Sequence, residues 1–326
     1  MRTTRVHVAA FLVLILFGVG RALSARNYEG QFERALKVTV PAEVEVTTGS
    51  GNIAVRTGDA STVRVRGMIH VDSGVGEAES TRKLQQLENN PPIQQTGALI
   101  RIGRIQDPEL RRHVSISYEV VVPAETRLKS DTGSGDQTID GVRGSVKATT
   151  GSGNLRLSHT SNEARLNEGS GNVEINSVGG AVYAETGSGN IRAVNVSGSV
   201  RAHTGSGDVR LEQTGTESVA ADTGSGNVEV SGVRGPLRAH TGSGEIRVNG
   251  DPTGDWKLDT GSGNVTMRLS AQSSFNLHAH TGSGDIHSNQ PITVQGKISR
   301  TELRGVVRNG GPLVELGTGS GNIRIE

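Results

Sequence analysis

Val182-Tyr183-Ala184-Glu185-Thr186-Gly187-Ser188-Gly189-Asn190-Ile191-Arg192-Ala193 is the stretch from which the architecture of this chain can be read. Before the Gly-Ser-Gly, Val182, Ala184 and Thr186 alternate with Tyr183 and Glu185; after it, Ile191 and Ala193 flank Arg192. Alternation with period two sends one set of side chains into a core and the other into water, which marks a half-buried strand. The Gly-Ser-Gly between two such strands supplies a tight corner, because glycine tolerates positive φ.

The same unit recurs on either side. The first Gly of each Gly-Ser-Gly falls at Gly49, Gly133, Gly151, Gly169, Gly187, Gly205, Gly224, Gly242, Gly261, Gly282 and Gly319. From Gly133 to Gly261 the steps are 18, 18, 18, 18, 19, 18 and 19 residues. The next step is 21, and the last is 37, close to two turns with one degenerate marker. Self-similarity at a fixed period is the signature of a repeat architecture. Apolar residues hold constant places in it. Five before the marker stand Val146, Ala164, Val182, Val200, Val219, Leu237 and Trp256, and three before it Ala148, Leu166, Ala184, Ala202, Ala221, Ala239 and Leu258. After it come Leu155, Val173, Ile191, Val209, Val228, Ile246 and Val265. So short a unit cannot bury its apolar face alone, and stability must come from stacking neighbours. The expected fold is therefore all-β: a parallel β-solenoid of ~18-residue rungs, thin in the core, with a small helical insertion near the N-terminus.

Composition agrees. The 326 residues include 46 Gly but only one Trp, three Tyr and four Phe, too few aromatics for an ordinary globular core. Disorder, the other fate of a Gly- and Ser-rich chain, does not explain apolar residues held at fixed positions. Cysteine is absent.

Residues 1–24 read as an export signal: Arg2 and Arg5, the apolar run Val6 to Gly20, then small residues at Ala22-Leu23-Ser24. The run is short for a spanning helix, although an uncleaved anchor is the alternative. Its removal takes away Arg2, Arg5 and Arg21 and no acid, so the formal charge falls from +1 to −2. Nucleic-acid binding would require a basic excess. Residues 25–130 read as irregular rungs, with Val40-Pro41-Ala42-Glu43 and Val122-Pro123-Ala124-Glu125 each leading into a marker. A helix over about 76–89 interrupts them, ends at Pro91-Pro92 and is placed to protect the N-terminal edge. Residues 131–326 are the regular solenoid. Ile323-Arg324-Ile325-Glu326 reads as a final strand and would leave a bare edge, unless the loop around Asn309-Gly310-Gly311-Pro312 covers it.

The Val-Pro-Ala-Glu segments, the repeated Thr-Gly-Ser-Gly-Asn-Ile, and the closing Asn309-Gly310-Gly311-Pro312 and Gly317-Thr318-Gly319-Ser320-Gly321-Asn322-Ile323 resemble the bacterial DUF4097 family. These are β-strand-repeat proteins that often carry an adhesin label. The resemblance covers essentially all of the chain after the signal. It implies an envelope-associated β-solenoid and brings no catalytic residues with it.

The chemistry to be expected lies on outward columns. Two before the marker stand Glu185, His203, Asp222, His240, Asp259 and His280. Imidazole with carboxylate suits a transition metal. Alternating partners equally suit a charge ladder across paired strands, and the basic neighbours Arg201, Arg238, Lys257 and His278 favour that reading by repelling a cation. The residue after each Gly-Ser-Gly is Asp136, Asp208, Asp285, Glu245 or one of several Asn. Calcium wants more charged ligands than this, whereas an Asn ladder tying the turns together explains the same residues. No Gly-Lys-Thr/Ser follows the glycines to make a phosphate loop. The regular Thr column has inward parity, which argues against an ice-binding face. Polysaccharide-cleaving chemistry would need paired carboxylates and aromatic platforms, which are sparse here.

The reading that results is an exported, non-enzymatic scaffold without cofactor, metal, nucleic acid or small-molecule substrate. It would sit in the periplasm or on the cell surface and hold an envelope polymer or surface protein through many weak contacts. The binding face is His203, Asp222, His240, Asp259 and His280, with Arg201, Arg238 and Lys257 beside them. End-to-end self-association through bare terminal strands is the alternative, and a polysaccharide-active enzyme the remoter one.

Overall fold

The computed structural model describes residues 28–72, 74–294 and 299–326. The segment expected to be an export signal lies outside the described residues. Each rung is two strands joined by the Gly-Ser-Gly corner. The strands before the markers stack into one sheet, here the leading sheet, and those after them into a second, the trailing sheet. Among the described residues the leading sheet has 15 strands and the trailing sheet 14.

Stacking is parallel and in register. Val182 pairs with Val200, Ala184 with Ala202 and Thr186 with Thr204 on one side, Ile191 with Val209 on the other. All three apolar columns named above are buried, which confirms a parallel β-solenoid with its core between the sheets. Trp256, the largest core side chain, donates from Nε1 to Gly235 O at 2.9 Å.

The corner has two ladders of its own. The inward Thr donates to the carbonyl of the preceding rung's second corner glycine, as Thr204 does to Gly189 O and Thr241 to Gly226 O, both at 2.9 Å. The residue after Gly-Ser-Gly accepts on its side-chain oxygen from the next rung's backbone N–H. Asn190 N donates to Asn172 Oδ1 at 2.9 Å, Asp208 N to Asn190 Oδ1 and Asn227 N to Asp208 Oδ1 at 2.8 Å. The column raised as a calcium candidate is thus the column that ties the corners together. Its last member, Asp285, takes Arg300 Nη2 on Oδ1 at 2.8 Å in place of a further rung. Glycine is required here for two reasons. Gly207 has φ 145°, and a Cβ on Gly205 would come 2.6 Å from Gly187 O of the rung below.

At the N-terminal end, the rung formed by Ala42–Ser50 and Ile53–Thr57 stacks directly on Thr126–Ser134 and Gln137–Asp140. The chain before this rung and the chain between it and Thr126 form an end piece with antiparallel strands Tyr28–Lys37 and Thr62–Val71 and helices α1 (Glu77–Asn89) and α2 (Pro108–Arg111). α1 lies against the outermost strand, whose Gln31 N donates to Glu88 Oε1 at 3.1 Å. An edge amide is thereby occupied, as protection of an open sheet requires. Buried Lys83 pins α1 to α2 by donating to Glu109 O and Arg112 O, each at 2.7 Å.

The C-terminal end departs from expectation. Leu313–Ser320 lies between Trp256–Ser262 and Phe275–Ser283, parallel to both, and Ile323–Ile325 between Val265–Leu269 and Ile286–Ser288. The final strand is therefore interior, and the bare edge read at Ile323–Glu326 is corrected. The 37-residue step is likewise not two turns. It contains the antiparallel strands Glu302–Val307 and Ile292–Val294, which cover the outside of Phe275–Ser283, and then the return of the chain into the stack.

Candidate binding face

Two outward columns run along the leading sheet. The nearer to the corner carries Glu185, His203, Asp222, His240 and Asp259 on successive rungs. His280 does not follow Asp259. Gly317, on the inserted rung, pairs with both, so a gap separates them. This corrects the expected row and ends its continuity at Asp259. Within it, His240 Nδ1 lies 3.3 Å from Asp259 Oδ2, both about half exposed. Among the described residues, no three of His, Asp or Glu converge so as to hold a metal ion.

The second column is Lys129, Lys147, Arg165, Tyr183, Arg201, Ala220, Arg238 and Lys257. Lys129 pairs with Asp131 and Lys257 with Glu315, each at 3.4 Å, and Arg165 with Glu163. Among the described residues, Lys147, Arg201 and Arg238 have no carboxylate at ion-pair distance. Arg165 also covers Tyr183, its Cζ 4.6 Å from the ring centroid. Tyr183 is one of few exposed large apolar side chains, at 38%. An open groove of about 620 Å³ runs past Tyr183, Arg201, Ala220 and Arg238. The sequence reading named Arg201, Arg238 and Lys257 but missed Lys147, Arg165 and Tyr183. The signal was present: the same column, four before each marker, continues upstream of Gly205.

The trailing sheet's outer face differs, because its arginines are largely neutralised. Arg156 pairs with Glu174 at 3.1 Å and Arg210 with Glu229 at 2.5 Å. Ser158, His159 and Asp140 meet there, but not as a nucleophile with its base. The Ser158 hydroxyl (2.6 Å) and His159 Nδ1 (2.7 Å) both address Asp140 Oδ1. Those two hydrogen bonds hold the Asp140 carboxyl below its ordinary pKa. Hydroxyl and imidazole converge on one carboxylate oxygen and not on each other, so the three form a clasp across two rungs.

Among the described residues no helix is long and apolar enough to cross a membrane. No curated protein matches the chain. Two solved structures are similar over 91% of it. One is a "putative cell adhesion protein" from Clostridium sporogenes (10% identity, 99% of that chain, TM-score 0.23). The other is a "putative adhesin" from Bacteroides fragilis (13% identity, 97% of that chain, TM-score 0.25). At these scores neither carries an argument about this protein. The family description does: Toastrack DUF4097 matches residues 113–200 and 165–326, well over half the sequence. The chain belongs to the Toastrack DUF4097 family.

Proposed function

We propose that the protein is an exported, non-catalytic scaffold that holds an anionic envelope polymer along the outer face of its leading sheet. The observation that carries this reading is the cationic column from Lys129 to Lys257. Its side chains repeat at the ~4.8 Å strand spacing, and among the described residues Lys147, Arg201 and Arg238 lack carboxylate partners of their own. Contacts that are weak singly add along a repeating ligand, provided the spacing lets them engage together. The His203–Asp259 column beside it adds alternating imidazole and carboxylate groups along the same face. Adhesion in the sense of the family's label would follow from such binding if the polymer belongs to another cell, and envelope anchoring if it belongs to its own.

The test is co-sedimentation of the chain with envelope fractions, before and after chemical removal of anionic polymers. Saturable pelleting that is lost on removal, and lost again in Lys147→Gln/Arg201→Gln/Arg238→Gln, is the expected result. Pelleting indifferent to both would end the proposal.

A further inference from the structure

We infer that the groove across Arg201, Ala220 and Arg238 seats an acidic sugar of an anionic polysaccharide, with Tyr183 as the platform for the neighbouring ring. This rests on the polymer reading above and names the polymer's class. Arg201, Ala220 and Arg238 occupy three successive rungs of one column. The two guanidinium groups therefore arise roughly two strand spacings apart, ~9.6 Å, over a floor that carries only a methyl group. Both are exposed and, among the described residues, unpaired. Guanidinium is the cation best shaped to grip a planar carboxylate with two parallel hydrogen bonds.

The groove walls distinguish a sugar from a phosphodiester chain. Arg165 comes from the rung before Tyr183 and covers the ring from that side. The groove lies on the other side, toward Arg201, where the ring offers an apolar face to sugar C–H groups. The outermost lining carries Ser199, Ser218, Pro236 and Asp255, the last taking the Leu313 N–H on its Oδ1 at 2.8 Å. Two hydroxyls without a hydrogen-bond partner among the described residues suit a polyhydroxyl ligand. A polyphosphate would use the arginines and ignore the rest.

The experiment is titration of the chain with an oligogalacturonate, with its uncharged reduced counterpart, and with inorganic polyphosphate. Wild type is expected to bind the oligouronate and not the neutral sugar, with affinity falling as salt rises. Tyr183→Ala should weaken oligouronate on the order of tenfold and leave polyphosphate unchanged. Arg201→Gln/Arg238→Gln should weaken it on the order of a hundredfold. Ala220→Arg is decisive. It adds positive charge to the column yet fills the floor of the groove, so it should weaken oligouronate if that floor is the seat. Tighter binding by Ala220→Arg, or no effect of Tyr183→Ala, would overturn the inference while leaving the polymer reading intact. Failure of wild type to bind either polyanion would overturn the polymer reading itself. All four positions point outward, and an unchanged circular dichroism spectrum shows that each variant folds.

Discussion

Thr186 shares its one hydroxyl proton between Glu168 Oε2 at 2.9 Å and Gly171 O at 3.0 Å, at the one corner where a carboxylate replaces the threonine of the inward ladder. Glu168 is 6% exposed, and its other oxygen accepts from Ser170 N at 2.8 Å. No cation pairs with it among the described residues. A buried carboxylate served by two donors is less well compensated than the neutral threonines above and below it. A threonine in its place would donate to Gly153 O, as Thr150 does to Gly135 O and Thr186 to Gly171 O. Glu168→Thr is therefore expected to raise unfolding free energy by about 1 kcal/mol, read as a higher urea midpoint at unchanged slope. A lower midpoint would mean that the carboxylate contributes something the ladder does not.

The second corner of the rung holds a related strain. Gly141, His159, Ser177, Asn195 and Gly232 occupy equivalent positions, all at positive φ between 53° and 79°. Glycine is at ease there, whereas Ser177 at φ 58° is not. Ser177→Gly is expected to stabilise by about 0.5–1 kcal/mol, relief of backbone strain outweighing the added freedom of the unfolded chain. Thermal unfolding monitored by circular dichroism checks it, and a lowered midpoint would contradict it.

Acid should loosen the Asp140 clasp. The folded-state pKa of Asp140 lies below its ordinary value of 3.8, so the carboxylate stabilises the fold above about pH 4, and that contribution is lost as pH falls through the depressed value. Asp140 is half exposed, and solvent screening keeps its worth to about 0.5 kcal/mol. Asp140→Asn should lower the urea midpoint slightly at about pH 6 and leave it equal to wild type near about pH 2. A difference that grows toward acid would reverse the sign of the argument.

Much of the fold was legible because a rung is a local repeat. Val182, Ala184 and Ile191 declare their side of the strand within a few residues, and the spacing of Gly133 to Gly261 fixes which rungs are neighbours. The order of the last rungs was not legible, for the same reason. Val314, Leu316 and Thr318 match the inward columns of every rung equally well, so pattern alone cannot say between which two they lie. On the surface, the cationic column could be read from residue identities. Whether a given cation was free could not, because Glu315, which neutralises Lys257, arrives from that inserted rung.

The inserted rung makes one more expectation testable. Gly317 separates Asp259 from His280, and a Cβ on Gly317 would stand 2.5 Å from Asp259 Oδ1. With Leu313–Ser320 between them, the two backbones are about two strand spacings apart, ~9.6 Å, beyond the reach of a disulfide. The chain has no cysteine of its own, so Asp259→Cys/His280→Cys reports cleanly. The full chain should not cross-link under oxidation. A chain shortened to residues 1–312 should let Phe275–Ser283 settle onto Trp256–Ser262, since Leu277 would then cover Trp256, Ala279 Leu258 and Thr281 Thr260. That brings positions 259 and 280 to adjacent strands at ~4.8 Å, and the disulfide should form. Cross-linking of the full chain would show that the final rung does not lie between them. Failure of the shortened chain to cross-link, with growth in size as concentration rises, would show instead that removing the rung leaves two open edges that pair between molecules.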